Sequence, residues 1–266
     1  MAARVIVVTS GKGGVGKTTT VANLGTGLAL RQKKVVMIDT DIGLRNLDLL
    51  MGMENRICFD LINVVENECR SYRQALIKDK RVENLYLLPA SQIKNKDALK
   101  AEQMIKLVEQ LKEEFDYILI DSPAGIESGF ENAVAPATEA IVVTNPEVPA
   151  VRDADRIIGL LQAKKIYEPM LVLNRLRSDM VKKRDMLDVD DINDILAIKL
   201  LGVVPEDEQI IVATNKGEPV VFNQQSKAGE AFRNIVRRLE GEAVPFMSFN
   251  TEPGVFGRFW KMLHGK

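Results

Sequence analysis

"TSGKGGVGKTTT", residues 9–20, holds one lysine more than its pattern requires. Residues 11–18 already satisfy G-x-x-x-x-G-K-[ST], a loop that wraps phosphate, with Lys17 in the usual place. The β-rich run "RVIVVT" precedes the loop, and "TTTVANLGTGLALRQ" follows it with helical spacing. Strand, loop and helix in that order separate a phosphate loop from a chance glycine-rich turn. Gly11, Gly13, Gly14 and Gly16 let the backbone close around phosphate oxygens while the following helix offers its positive end. The nucleotide-binding stretch is therefore read from Gly11 through Val15 to Thr18 and Thr19, with Lys17 on the β- and γ-phosphates of ATP. Thr18 would give its hydroxyl to Mg²⁺. Lys12, inside the glycine run, has no part in that pattern.

Outward from the loop, short runs rich in Val, Ile and Leu alternate with helical stretches. Strand-like runs fall at residues 34–39, 84–90, 117–125, 139–146, 170–176 and 200–207. Helical patterns fall near 97–113, 150–164 and 226–241. Strands so continuously apolar need burial on both faces, as in a parallel sheet. The expected fold is an α/β doubly wound, mostly parallel sheet with helices on both faces. One domain is expected over 1–241, a flexible tether over 242–253 and an amphipathic helix over 254–266.

Two strand ends carry acids. "YILIDSPAG" ends its apolar run at Asp121, where a phosphate-loop fold places the carboxylate that holds Mg²⁺. "KVVMIDTDIG" ends in Asp39 and Asp41, and strand C-termini in such a sheet converge on the ligand crevice. A calcium loop there fails for want of the remaining ligand positions. The same test rejects "DVDDINDIL" (residues 188–196), which reads as a solvated, capped helix.

The 266 residues carry a formal charge of -1, with 46% hydrophobic and 27% charged residues. That balance gives no overall field for nucleic acid, so a basic function must be local. Cys58 and Cys69 match no zinc spacing and read as reduced thiols. The apolar run at residues 5–8 is too short for a signal-peptide core, and nothing approaches the ~18 apolar residues of a membrane span. A cytoplasmic protein is expected.

"KGGVGKT", with a lysine directly after the first glycine, resembles the deviant Walker-A ATPases of the ParA/MinD family. "IDTDIGLRNLDLLMG", "DSPAGIE", "TNPEVPAVRDADRI" and "GVVPEDEQI" are similar to its septum-placing members, in the family's order. The resemblance implies that Lys12 reaches across an ATP-sandwich homodimer to the partner's phosphates. A second cation there would neutralise charge developing during transfer. It also implies that Asp41 and Asn46 orient the attacking water and that Asp39 sits near the metal. Asn174 and Pro205 would meet adenine, and Glu147 would lie at the dimer interface. Asp153 would belong to a surface shared by the inhibitor MinC and the activator MinE.

From residue 254 onward there is no acid, while Arg258, Lys261 and Lys266 are basic. On a helical wheel Phe256, Phe259, Trp260 and Leu263 cluster, with Arg258 and Lys261 on other faces. Such a helix lies in a membrane interface, here an anionic phospholipid one on the cytoplasmic side. Each buried large apolar side chain contributes ~1.5–3 kcal/mol at most and each basic residue ~1 kcal/mol. Folding a short helix offsets much of this. One tail binds marginally, and two on an ATP-bound dimer gain by effective concentration.

Three rivals remain open. A flagellar-number ATPase also ends in such a tail but usually has a helical extension before the loop, where only three residues precede the first strand here. A DNA-partition ATPase would need basic patches on a body that is net negative. An iron–sulfur carrier would need paired cysteines near Ala90 and "DSPAG", and neither region has one.

Overall fold

Among the described residues eight strands form one sheet. They are β1 (Arg4–Thr9), β2 (Val35–Asp39), β3 (Ile77–Lys78), β4 (Leu85–Leu88), β5 (Tyr117–Asp121), β6 (Glu139–Thr144), β7 (Met170–Leu176) and β8 (Lys199–Pro205). Their spatial order is β3-β4-β2-β5-β1-β6-β7-β8. Every neighbouring pair is parallel except β3–β4. The structure, a computed structural model, describes residues 2–247. The residues expected at a membrane, Phe256, Arg258, Phe259, Trp260, Lys261 and Leu263, lie outside that range.

Alternation along each strand explains why the sheet is covered twice. Val5, Val7, Val36, Ile38, Ile118 and Ile120 face one core, and Ile6, Val8, Val35, Met37 and Leu119 face the other. The first core is closed by α3 (Leu61–Val65), α4 (Ala101–Leu111), α5 (Ser128–Val134), α6 (Val148–Ala163) and α8 (Val189–Leu196). The second is closed by α1 (Lys17–Leu30), α2 (Leu47–Leu50) and α10 (Lys227–Leu239). Two further helices, α7 (Ser178–Lys183) and α9 (Glu208–Asn215), follow the C-terminal ends of β7 and β8. The doubly wound, mostly parallel sheet expected from the sequence is therefore present.

β1 lies between β5 and β6, with β2 beyond β5 on one side and β7 and β8 on the other. The chain direction of winding reverses at β1, so a crevice opens above its C-terminal end. The glycine loop follows β1 and opens onto that crevice.

The expected long elements occur within a few residues of their predicted bounds. The short elements β3, α2, α3, α5, α7 and α9 carry little periodicity and were not foreseen. Their ends are fixed by side chains instead. Asp79 accepts from the Val82 N–H at 3.0 Å and pairs with Arg81 at 2.8 Å, holding the turn between β3 and β4. Asp207 accepts from the Gln209 N–H at 2.9 Å and from the Ser226 hydroxyl at 2.7 Å, which ties the starts of α9 and α10 together. Asp188 caps α8 through the Asp191 N–H at 2.8 Å, as the sequence implied.

Residues 242–247, assigned by sequence to the tether, are strapped to the body. Arg237 pairs with Glu242 at 2.7 Å, and Arg31 reaches both Glu240 and Glu242. The Arg238 guanidinium donates to the carbonyls of Val244 (2.9 Å) and Pro245 (2.7 Å) and lies 4.2 Å from the Phe246 ring centroid.

Candidate functional site

The loop after β1 turns into α1 at Gly16, whose φ of 101° is left-handed and unfavourable for any side chain. A Cβ there would also lie 2.2 Å from the Asn174 amide nitrogen. That amide donates to the Val15 carbonyl at 2.8 Å, and the Asn174 oxygen accepts from the Arg175 N–H at 2.9 Å. Asn174, only 3% exposed, is thus a clasp beneath the loop. On the loop's other flank a Cβ at Gly11 would stand 2.4 Å from the Asp153 carbonyl oxygen. The loop is seated between β7 and α6, with no room for side chains at either contact.

Lys17 is buried at the start of α1, and burial lowers its pKa while Asp121 and Asp41 pull it upward. Asp39 and Asp121 are register partners at the ends of β2 and β5. Both are buried, and burial raises both acids. Asp121 stands well above the ordinary carboxylate range, from burial and then the neighbouring Asp39, with Thr18 and Lys17 opposing. Asp39 is pushed up to about 6, restrained by backbone donors. Those donors are the N–H groups of Asp41 (2.9 Å), Asn46 (3.2 Å) and Leu47 (3.2 Å). Asp39 therefore fixes the loop carrying Asp41 and Asn46 and the start of α2.

The Asp121 Oδ1 is buried with no hydrogen-bond partner among the described residues. An unpaired carboxyl oxygen beside Thr18, under a glycine cradle, fits a hard divalent cation shared with phosphates. Among the described residues no group of three His, Cys, Asp or Glu forms a cage of its own. That too fits Mg²⁺, which keeps water and substrate oxygens as ligands.

These acids set the sign of a pH effect. Asp39 takes up a proton near pH 6 when folded but only near pH 3.9 when unfolded. The folded chain therefore binds more protons between those values, and stability rises as pH falls through 6. Nucleotide-free protein should gain about 1 kcal/mol between pH 7 and pH 5 from this group, seen as a higher urea midpoint. A midpoint that falls over that interval would mean the acid is ionised without penalty.

Lys12 is exposed, and its Nζ lies 3.5 Å from the Glu147 carboxylate at the start of α6. With both side chains about half exposed, such a pair contributes little to stability. Beside it a cleft of about 1820 Å³ opens over the ends of β6, β7 and β8. Asn145, Glu147, Arg175, Met186, Pro205 and Met247 are among its walls. Pro205 and Glu147 thus share the cleft, whereas Asn174 lies beneath the loop outside it. Asp153 is half-buried on α6 under Gly11.

Sequence reasoning passed over two residues here. Arg175 sits at φ 57° within an irregular stretch of β7. Asn145, buried at the end of β6, has an unpartnered amide oxygen. The available signal for Asn145 is a polar residue closing an apolar run, in "VVTNP".

The model of the CobQ/CobB/MinD/ParA nucleotide binding domain matches residues 6–220. The septum site-determining protein MinD of Synechocystis is 61% identical over 247 residues, covering 92% of each chain. MinD in a MinC:MinD complex from Aquifex aeolicus superposes with a TM-score of 0.87 at 48% identity, over 93% of this chain and 100% of that one. A MinD complexed with Mg-ADP from Pyrococcus horikoshii gives a TM-score of 0.81 at 30% identity, over 90% and 96%. No helix among the described residues is long and apolar enough to cross a membrane. With the phosphate loop, the paired strand-end acids and this identity along nearly the whole chain, the protein belongs to the MinD/ParA family of nucleotide-binding domains, among its septum site-determining MinD members.

Proposed function

We propose that the chain is an ATP-hydrolysing switch in division-site placement, and one observation carries this most directly. Lys12 stands exposed beside a loop whose own cation, Lys17, is already buried in place. A lysine so placed serves a second subunit's phosphates better than its own. ATP would then join two copies, with Glu147 at the seam. Thr18 and Asp121 would hold Mg²⁺, with Asp39 close by, and the ion when bound would neutralise charge on the β- and γ-phosphates. Asp41 and Asn46, held in place through Asp39, would orient the attacking water. Pro205 would border the adenine, and Asn174, expected there from the resemblance, would instead hold the loop from beneath.

MinC is the proposed partner of the assembled dimer, by likeness to the Aquifex complex, with Asp153 on the surface it would share with MinE. Residues 254–266 would attach the dimer to an anionic membrane, and MinE-stimulated hydrolysis would release it. The enzyme acts as a timer for recruitment, and its product has no separate use.

Liposome sedimentation tests the switch. With anionic vesicles the full chain should pellet with ATP and remain largely in solution with ADP or no nucleotide. Trp260, the only tryptophan, should shift its emission to the blue under the same condition. Added salt should weaken the effect by screening Arg258 and Lys261. Equal pelleting with ADP and ATP would break the link between dimerisation and membrane.

A further inference from the structure

β6 and β7 run side by side, and Thr144 and Leu173 are partners in their ladder. The next residue in each segment is an asparagine, Asn145 just past the end of β6 and Asn174 within β7. Their side chains are treated differently. Asn174 has its amide nitrogen on the Val15 carbonyl and its oxygen on the Arg175 N–H, so both ends hold the fold. Asn145 is 7% exposed, and its amide oxygen is buried with no hydrogen-bond partner among the described residues. Its backbone carbonyl is occupied, by the Glu147 N–H at 2.8 Å and the Thr144 hydroxyl at 3.4 Å. The turn that presents Glu147 thus depends on Asn145's backbone and leaves its amide oxygen unpaired.

Folded proteins rarely leave a buried amide without a partner, and the exceptions concentrate where something else completes the site. Asn145 lines the large cleft together with Glu147 and Pro205, whereas Asn174 does not. A carboxamide offers one acceptor and two donors, and a half-turn of its last torsion exchanges them. That matches a nucleoside, whose ribose hydroxyls and purine edge carry both kinds of group. It does not match phosphate, for which the loop amides and the buried Lys17 are better placed.

We propose that Asn145 is a nucleoside-recognition residue: its carboxamide hydrogen-bonds the sugar or the purine edge of a nucleotide whose phosphates rest on the Gly11–Thr18 loop. The inference rests on the ATP reading given above. Asn174 keeps the loop in place from beneath, and Asn145 reads what extends into the cleft.

Calorimetric titration of the full chain with Mg²⁺ and three ligands, ADP, IDP and 2′-deoxy-ADP, tests this. IDP replaces the 6-amino group by an oxygen, and 2′-deoxy-ADP lacks one ribose hydroxyl. Asn145→Ala should weaken ADP binding about tenfold, the effect of one buried hydrogen bond. It should also erase the wild-type preference for ADP over one analogue: over IDP if the purine is read, over 2′-deoxy-ADP if the sugar is. Because each ratio is taken within one variant, a general loss of folding cancels. Should Asn145→Ala fail to fold, Asn145→Ser carries the same comparison. A variant that keeps both wild-type ratios and binds ADP as tightly overturns the role of Asn145 alone. A wild-type chain that binds none of the three overturns the ATP reading itself.

Discussion

Lys12→Ala should bind nucleotide within a few-fold of wild type yet lose ATP-dependent dimerisation, and its hydrolysis should fall at least ~100-fold. Among the described residues the ion-pair partner of Lys12 is Glu147, 3.5 Å away and exposed, and Lys17 with the loop amides remains to hold phosphates. The loss should therefore appear between subunits and in the transition state, where charge moves onto the leaving phosphate. Size-exclusion with ATP and a steady-state phosphate assay read the two effects separately. A variant that still dimerises with ATP would return Lys12 to an ordinary loop lysine and remove the main support for a cross-subunit cation.

Asp121→Asn should make the nucleotide-free protein more stable and at the same time inactive. The carboxylate is 1% exposed, sits against Asp39 and has an oxygen without a partner. An amide removes the penalty of a second buried acid beside Asp39, desolvation and repulsion together, which is on the order of 1–3 kcal/mol. The amide cannot hold a cation with the strength of the acid, so hydrolysis should drop by roughly 100-fold or more. Thermal unfolding with and without Mg-ADP separates the two. The variant's midpoint should lie above wild type without ligand, and its gain on adding Mg-ADP should be much smaller. A less stable variant with full ligand response would instead make Asp121 a structural acid held by Thr18 and Lys17. Such an exchange of stability for activity is common at sites that keep strained or unpaired groups.

Most of the fold was legible because its signals are local. The strands are apolar along their whole length, so both-face burial and a parallel sheet follow from five or six residues at a time. The phosphate loop, with glycines and a lysine at fixed spacing, is equally self-contained. What the sequence withheld depends on partners far apart in the chain. The Asn174 clasp joins atoms 159 residues apart, and no local pattern announces that its amide is already engaged. Asp39 was expected near the metal, but its three backbone donors come from a loop whose bend only the tertiary fold defines. Asn145 had a readable signal in "VVTNP". Its significance comes from an oxygen left unpaired, which can be known only after every neighbour is placed.

The strap over residues 242–247 has a consequence for distance. It runs from the end of α10 to Met247, which forms part of the cleft wall. Only residues 248–253 then separate that wall from the basic, aromatic segment beginning at Gly254. A peptide can span no more than ~3.3–3.6 Å per residue, so the leash is at most about 25 Å whatever shape it takes. On the proposed reading, the first of the last thirteen residues starts within that distance of the cleft wall. Were those residues to anchor the chain, the side that carries the cleft would be the side nearest the anchor. Docking to a surface and closure around a nucleotide would take place in the same small volume, where each can obstruct or assist the other by sheer proximity.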